Sequence, residues 1–83
     1  MRFSAQVFVT LKPTVNDPQG NAVLGGLHAL GFESVETVRV GKYLTLTLDA
    51  IGESAAKEQV DSMCERLLAN TVIESYEVEI ESA

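Results

Sequence analysis

The chain has 83 residues, of which 46% are hydrophobic, and its 12 acidic and 6 basic side chains give a formal net charge of −6. That charge repels polyanions, which argues against nucleic acid and anionic membrane as partners. The length suits one domain, residues 1–83, and a domain this small hides only about 60 to 65% of the surface that its unfolded chain exposes. So much apolar surface on so short a chain predicts a partner surface, most simply a second copy.

A single cysteine, Cys64, excludes an intramolecular disulfide, and its apolar helical neighbours predict a small buried side chain. A reducing, cytoplasmic setting follows as the expectation. The start, Met1-Arg2-Phe3-Ser4-Ala5-Gln6, alternates instead of forming an apolar run, which predicts an uncleaved terminus. No segment reaches membrane-spanning length.

From Phe3 to Leu11 the odd positions Phe3, Ala5, Val7, Val9 and Leu11 are apolar, while Ser4, Gln6 and Thr10 share the other face with Phe8; this period predicts a first strand. Asp17 is placed to cap a helix, and Pro18 fits its first turn because the missing amide hydrogen has no partner there in any case. Helix one is predicted over Pro18–Leu30, with Val23, Leu27 and Leu30 as its inward stripe. Gly31 can take the left-handed conformation that ends it, and Phe32 then folds back onto Leu27.

Between Val35 and Asp49 the residues Val38, Val40, Leu44, Leu46 and Leu48 all fall on even positions, interrupted by Gly41-Lys42. A two-residue hairpin is the local expectation at that pair. Strict closure, however, pairs Val38 with Thr45 and Arg39 with Leu44, so the apolar sets would not share a face. A bulged loop or one uninterrupted long strand removes the mismatch. In the long-strand case an identical chain could supply the missing partner by segment exchange.

The second helix is predicted over Ser54–Ala69, with Ala56, Val60, Met63, Cys64 and Leu67 inward and Asn70 closing it. A last strand follows over Val72–Ile80, with Val72, Tyr76, Val78 and Ile80 on one face. Glu77, Glu79 and Glu81 lie on the other, as a solvated ladder that discourages edge aggregation or meets a basic partner. The order β-α-β-β-α-β gives an α+β two-layer sandwich on the ferredoxin-like plan. That plan serves many functions and decides none.

Taken in order, Val9-Thr10-Leu11-Lys12, Asp17-Pro18-Gln19-Gly20, Ala29-Leu30-Gly31-Phe32, Val38-Arg39-Val40-Gly41-Lys42-Tyr43 and Met63-Cys64-Glu65-Arg66-Leu67-Leu68-Ala69-Asn70 resemble the PurS family, the small subunit of phosphoribosylformylglycinamidine synthase. The resemblance covers essentially the whole chain. Thr71 departs from the proline common there, and Gly25-Gly26 departs within helix one, where each glycine weakens the helix by about 0.8 to 1 kcal/mol relative to alanine.

The resemblance implies a non-catalytic subunit in purine (IMP) biosynthesis, as a homodimer between a PurL synthetase subunit and a PurQ glutaminase subunit. It implies that PurL holds ATP and magnesium, that this chain binds no cofactor, and that the chain supports ammonia transfer. An ACT-like ligand-binding module shares the element order and is the alternative.

The residues themselves suggest no chemistry. His28 has no evident carboxylate partner, Cys64 has no evident cause for a lowered thiol pKa, and the two fall on separate elements, so neither a catalytic nor a metal site is expected. Candidate partner-binding residues are Arg39, Gly41, Lys42 and Tyr43, two cations and an aromatic around a glycine, against the plainer reading of a solvated turn. Capping explains Asp17 and Pro18, which leaves Gln19 and Gly20 as further partner-contact candidates.

Overall fold

In the computed structural model, which describes residues 1–83, the elements are β1 (Arg2–Leu11), α1 (Pro18–Ala29), β2 (Gly41–Asp49), α2 (Glu53–Met63), a π-helical turn (Cys64–Leu68) and β3 (Glu74–Ser82). The strands form one antiparallel sheet in the order β2-β1-β3. In register, Val7 lies opposite Leu44 and Val78, and Ala5 opposite Leu46 and Ile80, so three apolar sets of matching parity meet on one face. Phe3, Ala5, Val7 and Val9 are buried there against Ala56 and Val60 on the inner side of α2 and Cys64 at the start of the π turn, three helical residues four apart. Complete burial of Val7, Val9 and Val60 contributes roughly 1.5 to 3 kcal/mol each. Burial, together with the nearby Asp61 and Glu65 charges, pushes the Cys64 thiol pKa up.

The α+β plan is as expected, with one strand fewer. Residues 36–40 belong to no strand, and β2 runs unbroken from Gly41. The reason lies in β1. Its pairing with β2 ends at Thr10–Gly41, and Pro13, which has no amide hydrogen, stands just past its end. Residues upstream of Gly41 have no strand to pair with, and the Val40 amide donates instead to Asp17 Oδ2 at 2.8 Å.

Two apolar assignments also change. The helix-one stripe was expected to face a core, yet α1 makes no substantial packing contact with any strand, and Val23, Leu30 and Phe32 are exposed, Leu30 to 76%. Leu67, expected inward, is 82% exposed. Here α2 gives way to the π turn, in which the Ala69 amide donates to Cys64 O five residues back at 3.0 Å. The wider turn advances the apolar stripe by one residue, so Leu68 and not Leu67 packs on the core. Asn70 then builds the turn into β3, where its carbonyl accepts from Glu74 N at 2.7 Å. At the end of α1, Gly31 takes φ +98° and the Phe32 amide donates to Leu27 O at 2.9 Å, the expected closure.

The helix layer is half complete. α2 lies over β3 and β1, and nothing comparable lies over β2, whose Leu44, Leu46 and Leu48 remain partly exposed. The chain measures 50 × 26 × 14 Å, and its radius of gyration, 16.3 Å, exceeds the ~12 Å of a globular chain of this length. No helix is long and apolar enough to cross a membrane.

Candidate partner-binding surface

The two segments singled out in the sequence come together at the base of α1. Asp17 is buried; its Oδ1 accepts from Gly20 N at 2.9 Å and its Oδ2 from Val40 N. One carboxylate therefore caps the helix and anchors the returning chain. The Val40 amide foremost, then that of Gly20, with help from the Arg39 charge, hold its pKa below the usual carboxylate value against the opposing effect of burial.

Arg39 completes the knot. Its Nη2 donates to Lys12 O and Val15 O, both at 2.9 Å, stitching the β1–α1 loop to the segment before β2. Gly20 is needed here for space, because a Cβ at that position would collide with Val38 O and the Asp17 carboxylate. At Gly41 a Cβ would stand 2.5 Å from Val9 O, so close backbone approach explains this glycine too. Lys42 Nζ donates to Leu68 O at 3.3 Å, at the end of the π turn where a cation offsets the carbonyl dipoles, and lies 3.8 Å from Glu74 Oε2. A cleft of about 320 Å³ opens between Asp17, Gln19, Gly41, Lys42 and Glu74, with the Gln19 side chain exposed at its rim.

Tyr43 lies apart from the knot, on the face of the sheet opposite α2. It is 61% exposed and stacks on Phe8, with ring centroids 4.9 Å apart and planes inclined by 29°. Thus Arg39, Gly41 and Lys42 hold the chain's own architecture, although Arg39 and Lys42 are exposed, whereas Tyr43 and Gln19 are exposed and make no such tie. The sequence reading missed three participants: the Asp17 tie to Val40, Glu74 beside Lys42, and Phe8 beneath Tyr43. Only Phe8 left a signal, as the lone apolar residue among Ser4, Gln6 and Thr10.

His28 is exposed at the end of α1, its Nε2 2.7 Å from Val35 O, and no three His, Cys, Asp or Glu side chains converge as a metal set.

Fold and surface together define a small α+β protein with half of one sheet face, all of the other and one helix stripe uncovered. A family model described as PurS, phosphoribosylformylglycinamidine (FGAM) synthase, matches residues 4–82. The chain is 53% identical over 78 residues to the PurS subunit of this synthase from Synechocystis, covering 94% of this chain and 78% of that relative. It is 46% identical over 79 residues to the PurS subunit from Bacillus subtilis, covering 95% and 93%. Among solved structures, B. subtilis PurS superposes with a TM-score of 0.87 at 45% identity, covering 96% of this chain and 99% of that one. A chain of the Thermotoga maritima PurLQS structure does so with a TM-score of 0.89 at 32% identity, covering 98% and 99%. The chain belongs to the PurS family, whose relatives here are subunits of phosphoribosylformylglycinamidine synthase, an enzyme of the purine biosynthetic pathway.

Proposed function

We propose that this chain is a non-catalytic connector which, as a pair of copies in the cytoplasm, bridges a PurL synthetase and a PurQ glutaminase subunit and supports ammonia transfer between them. The observation that carries this reading is the likeness, over 98% of the chain, to one chain of the T. maritima PurLQS structure. ATP and magnesium belong to PurL in this scheme. Ammonia released into water is protonated and loses its nucleophilic lone pair, so the assembly gains from holding the two sites in register and keeping water from the route between them.

Pairing is supported by area. The chain exposes 5749 Å², against about 4,850 Å² for a folded monomer of its size. The excess, roughly 900 Å², is close to what one partner contributes to an interface of standard size. A second copy's α1, with Val23, Leu27, Leu30 and Phe32, is the apolar element of the right kind to lie over Leu44, Leu46 and Leu48. That arrangement is the exchanged-segment dimer.

The test is reconstitution with PurL and PurQ from the same organism, following synthesis with glutamine and, separately, with ammonium salt. Omitting this chain is expected to abolish the glutamine-dependent reaction and to spare the ammonium-dependent one. Equal glutamine-dependent synthesis without it refutes the proposal.

A further inference from the structure

The sheet has a second face, on which no element of the chain packs. It carries Arg2, Ser4, Gln6, Phe8 and Thr10 from β1, Tyr43, Thr45, Thr47 and Asp49 from β2, and Ser75, Glu77, Glu79 and Glu81 from β3. Toward one end of it is the exposed Phe8–Tyr43 stack. Glu77 lies directly opposite Phe8 in register, and Glu79 and Glu81 continue along the strand, opposite Gln6 and Ser4. None of these three carboxylates makes an ion pair; the chain's two ion pairs, Lys42–Glu74 and Lys57–Asp61, lie elsewhere. Gln6 Oε1 is buried and accepts no hydrogen bond, although Nε2 of the same side chain donates to Ser4 Oγ at 3.0 Å.

We infer that this face, around Phe8, Tyr43, Glu77 and Glu79, is the docking surface for an arginine-bearing, basic protein surface on another subunit of the assembly. The inference rests on the connector reading given above. Three features point to that chemistry. A stacked aromatic pair offers a flat π surface, on which a planar guanidinium packs better than a lysine ammonium does. The flanking carboxylates accept paired N–H bonds in the fork geometry that arginine presents. The face's one cation, Arg2, stands at the far end from Phe8, so no basic side chain of the chain itself competes for the carboxylates beside the stack. A second copy is a poor occupant, because stacking two such faces would bring one glutamate ladder near the other. Pairing through the α1 stripe leaves this face free, so one molecule can hold its own copy and a larger subunit at once.

The experiment measures binding of the full chain to purified PurL and to purified PurQ from the same organism, across a salt titration. Tyr43→Ala and the double variant Glu77→Lys, Glu79→Lys are compared with Tyr43→Phe. The three substituted side chains, Tyr43, Glu77 and Glu79, are all exposed, and circular dichroism and the mass of the isolated chain check that each variant folds and pairs as the parent does. Tyr43→Ala is expected to weaken binding to one subunit about thirtyfold or more, as loss of an aromatic anchor does. The charge reversal should weaken it at least as much and remove the salt dependence, while Tyr43→Phe, which keeps the stacking ring, binds like the parent. If the parent binds a subunit and both disruptive variants bind equally well, the docking face is refuted and the connector reading stands. If the parent binds neither subunit, both fall. If the variants lower the mass of the isolated chain without affecting subunit binding, the face joins copies of this chain and the inference is wrong.

Discussion

Gly20→Ala and Gly25→Ala add the same methyl group to the same helix, yet they should move stability in opposite directions. Gly25 lies on the side of α1 away from Val23, Leu27 and Leu30, and a Cβ there meets nothing within 4 Å. Alanine at that position gains the ordinary helix preference of about 0.8 to 1 kcal/mol. At Gly20 the methyl would be driven into Val38 O and the Asp17 carboxylate, the acceptor of the helix cap. Overpacking of this kind costs typically 1 to 3 kcal/mol, enough to reverse the propensity gain. For a chain of this length, 1 kcal/mol corresponds to about 6 °C in the melting midpoint. Gly25→Ala should therefore melt some 5 °C higher than the parent and Gly20→Ala lower, the two separated by roughly 6 to 18 °C. Thermal melts followed by circular dichroism at one fixed chain concentration provide the comparison, since pairing makes the midpoint concentration-dependent. A Gly20→Ala chain as stable as Gly25→Ala would refute the assignment of this glycine to close packing, and would return it to the set of partner contacts.

Further outcomes follow from the same geometry. Asp17 has a lowered folded-state pKa, so its contribution to stability is complete above the ordinary carboxylate value near pH 4 and is lost as pH falls through the folded value. Asp17→Asn should reduce the acid slope of stability against pH in urea titrations; an unaltered slope would assign acid sensitivity to other carboxylates. Leu30→Asp places a charge in the exposed stripe of α1 and should shift the sedimentation mass from a pair toward a single chain at micromolar concentration. A retained pair mass would count against α1 as the pairing element. Arg39→Ala releases Lys12 O and Val15 O and should speed hydrogen exchange across residues 12–17, whereas Arg39→Lys, whose ammonium ends one bond short of the Nη2 that makes both hydrogen bonds, should restore little. Unchanged exchange in Arg39→Ala would show that the loop is held by other means.

The sheet was legible because period-two alternation and burial are the same fact: Phe3, Ala5, Val7 and Val9 had one face to hide and hid it. The cap at Asp17 and the closure at Gly31 were legible because each is settled between residues no more than five apart in the chain. The fourth strand was misjudged because Val38 and Val40 carry strand-like parity, while the length of β1, ended by Pro13, determines whether they find a partner. Leu67 was misplaced because a period of 3.6 extrapolates through a π turn that local sequence does not announce. The knot between Asp17, Val40 and Arg39 joins atoms more than twenty residues apart, so sequence indicated the residue types and not their meeting.

That knot also bears on why the apolar stripe stays uncovered. On the ferredoxin-like plan α1 would pack beside α2 over Leu44, Leu46 and Leu48, and so the stripe and the open half of the sheet are complementary within one chain. What keeps them apart is the base of α1, where the chain enters at Asp17 and leaves at Val40, both held by one carboxylate, with Arg39 fastening the loop behind. A helix held at its base cannot swing back onto its own sheet, and its apolar stripe is left outward, free for the pairing proposed above. The double variant Asp17→Ala, Arg39→Ala cuts the knot and leaves both apolar surfaces intact. It should populate a compact single chain, seen as a halved sedimentation mass and a smaller radius by solution scattering. If the cut chain still pairs with undiminished affinity, the direction of α1 is set by the pairing itself and not by the knot.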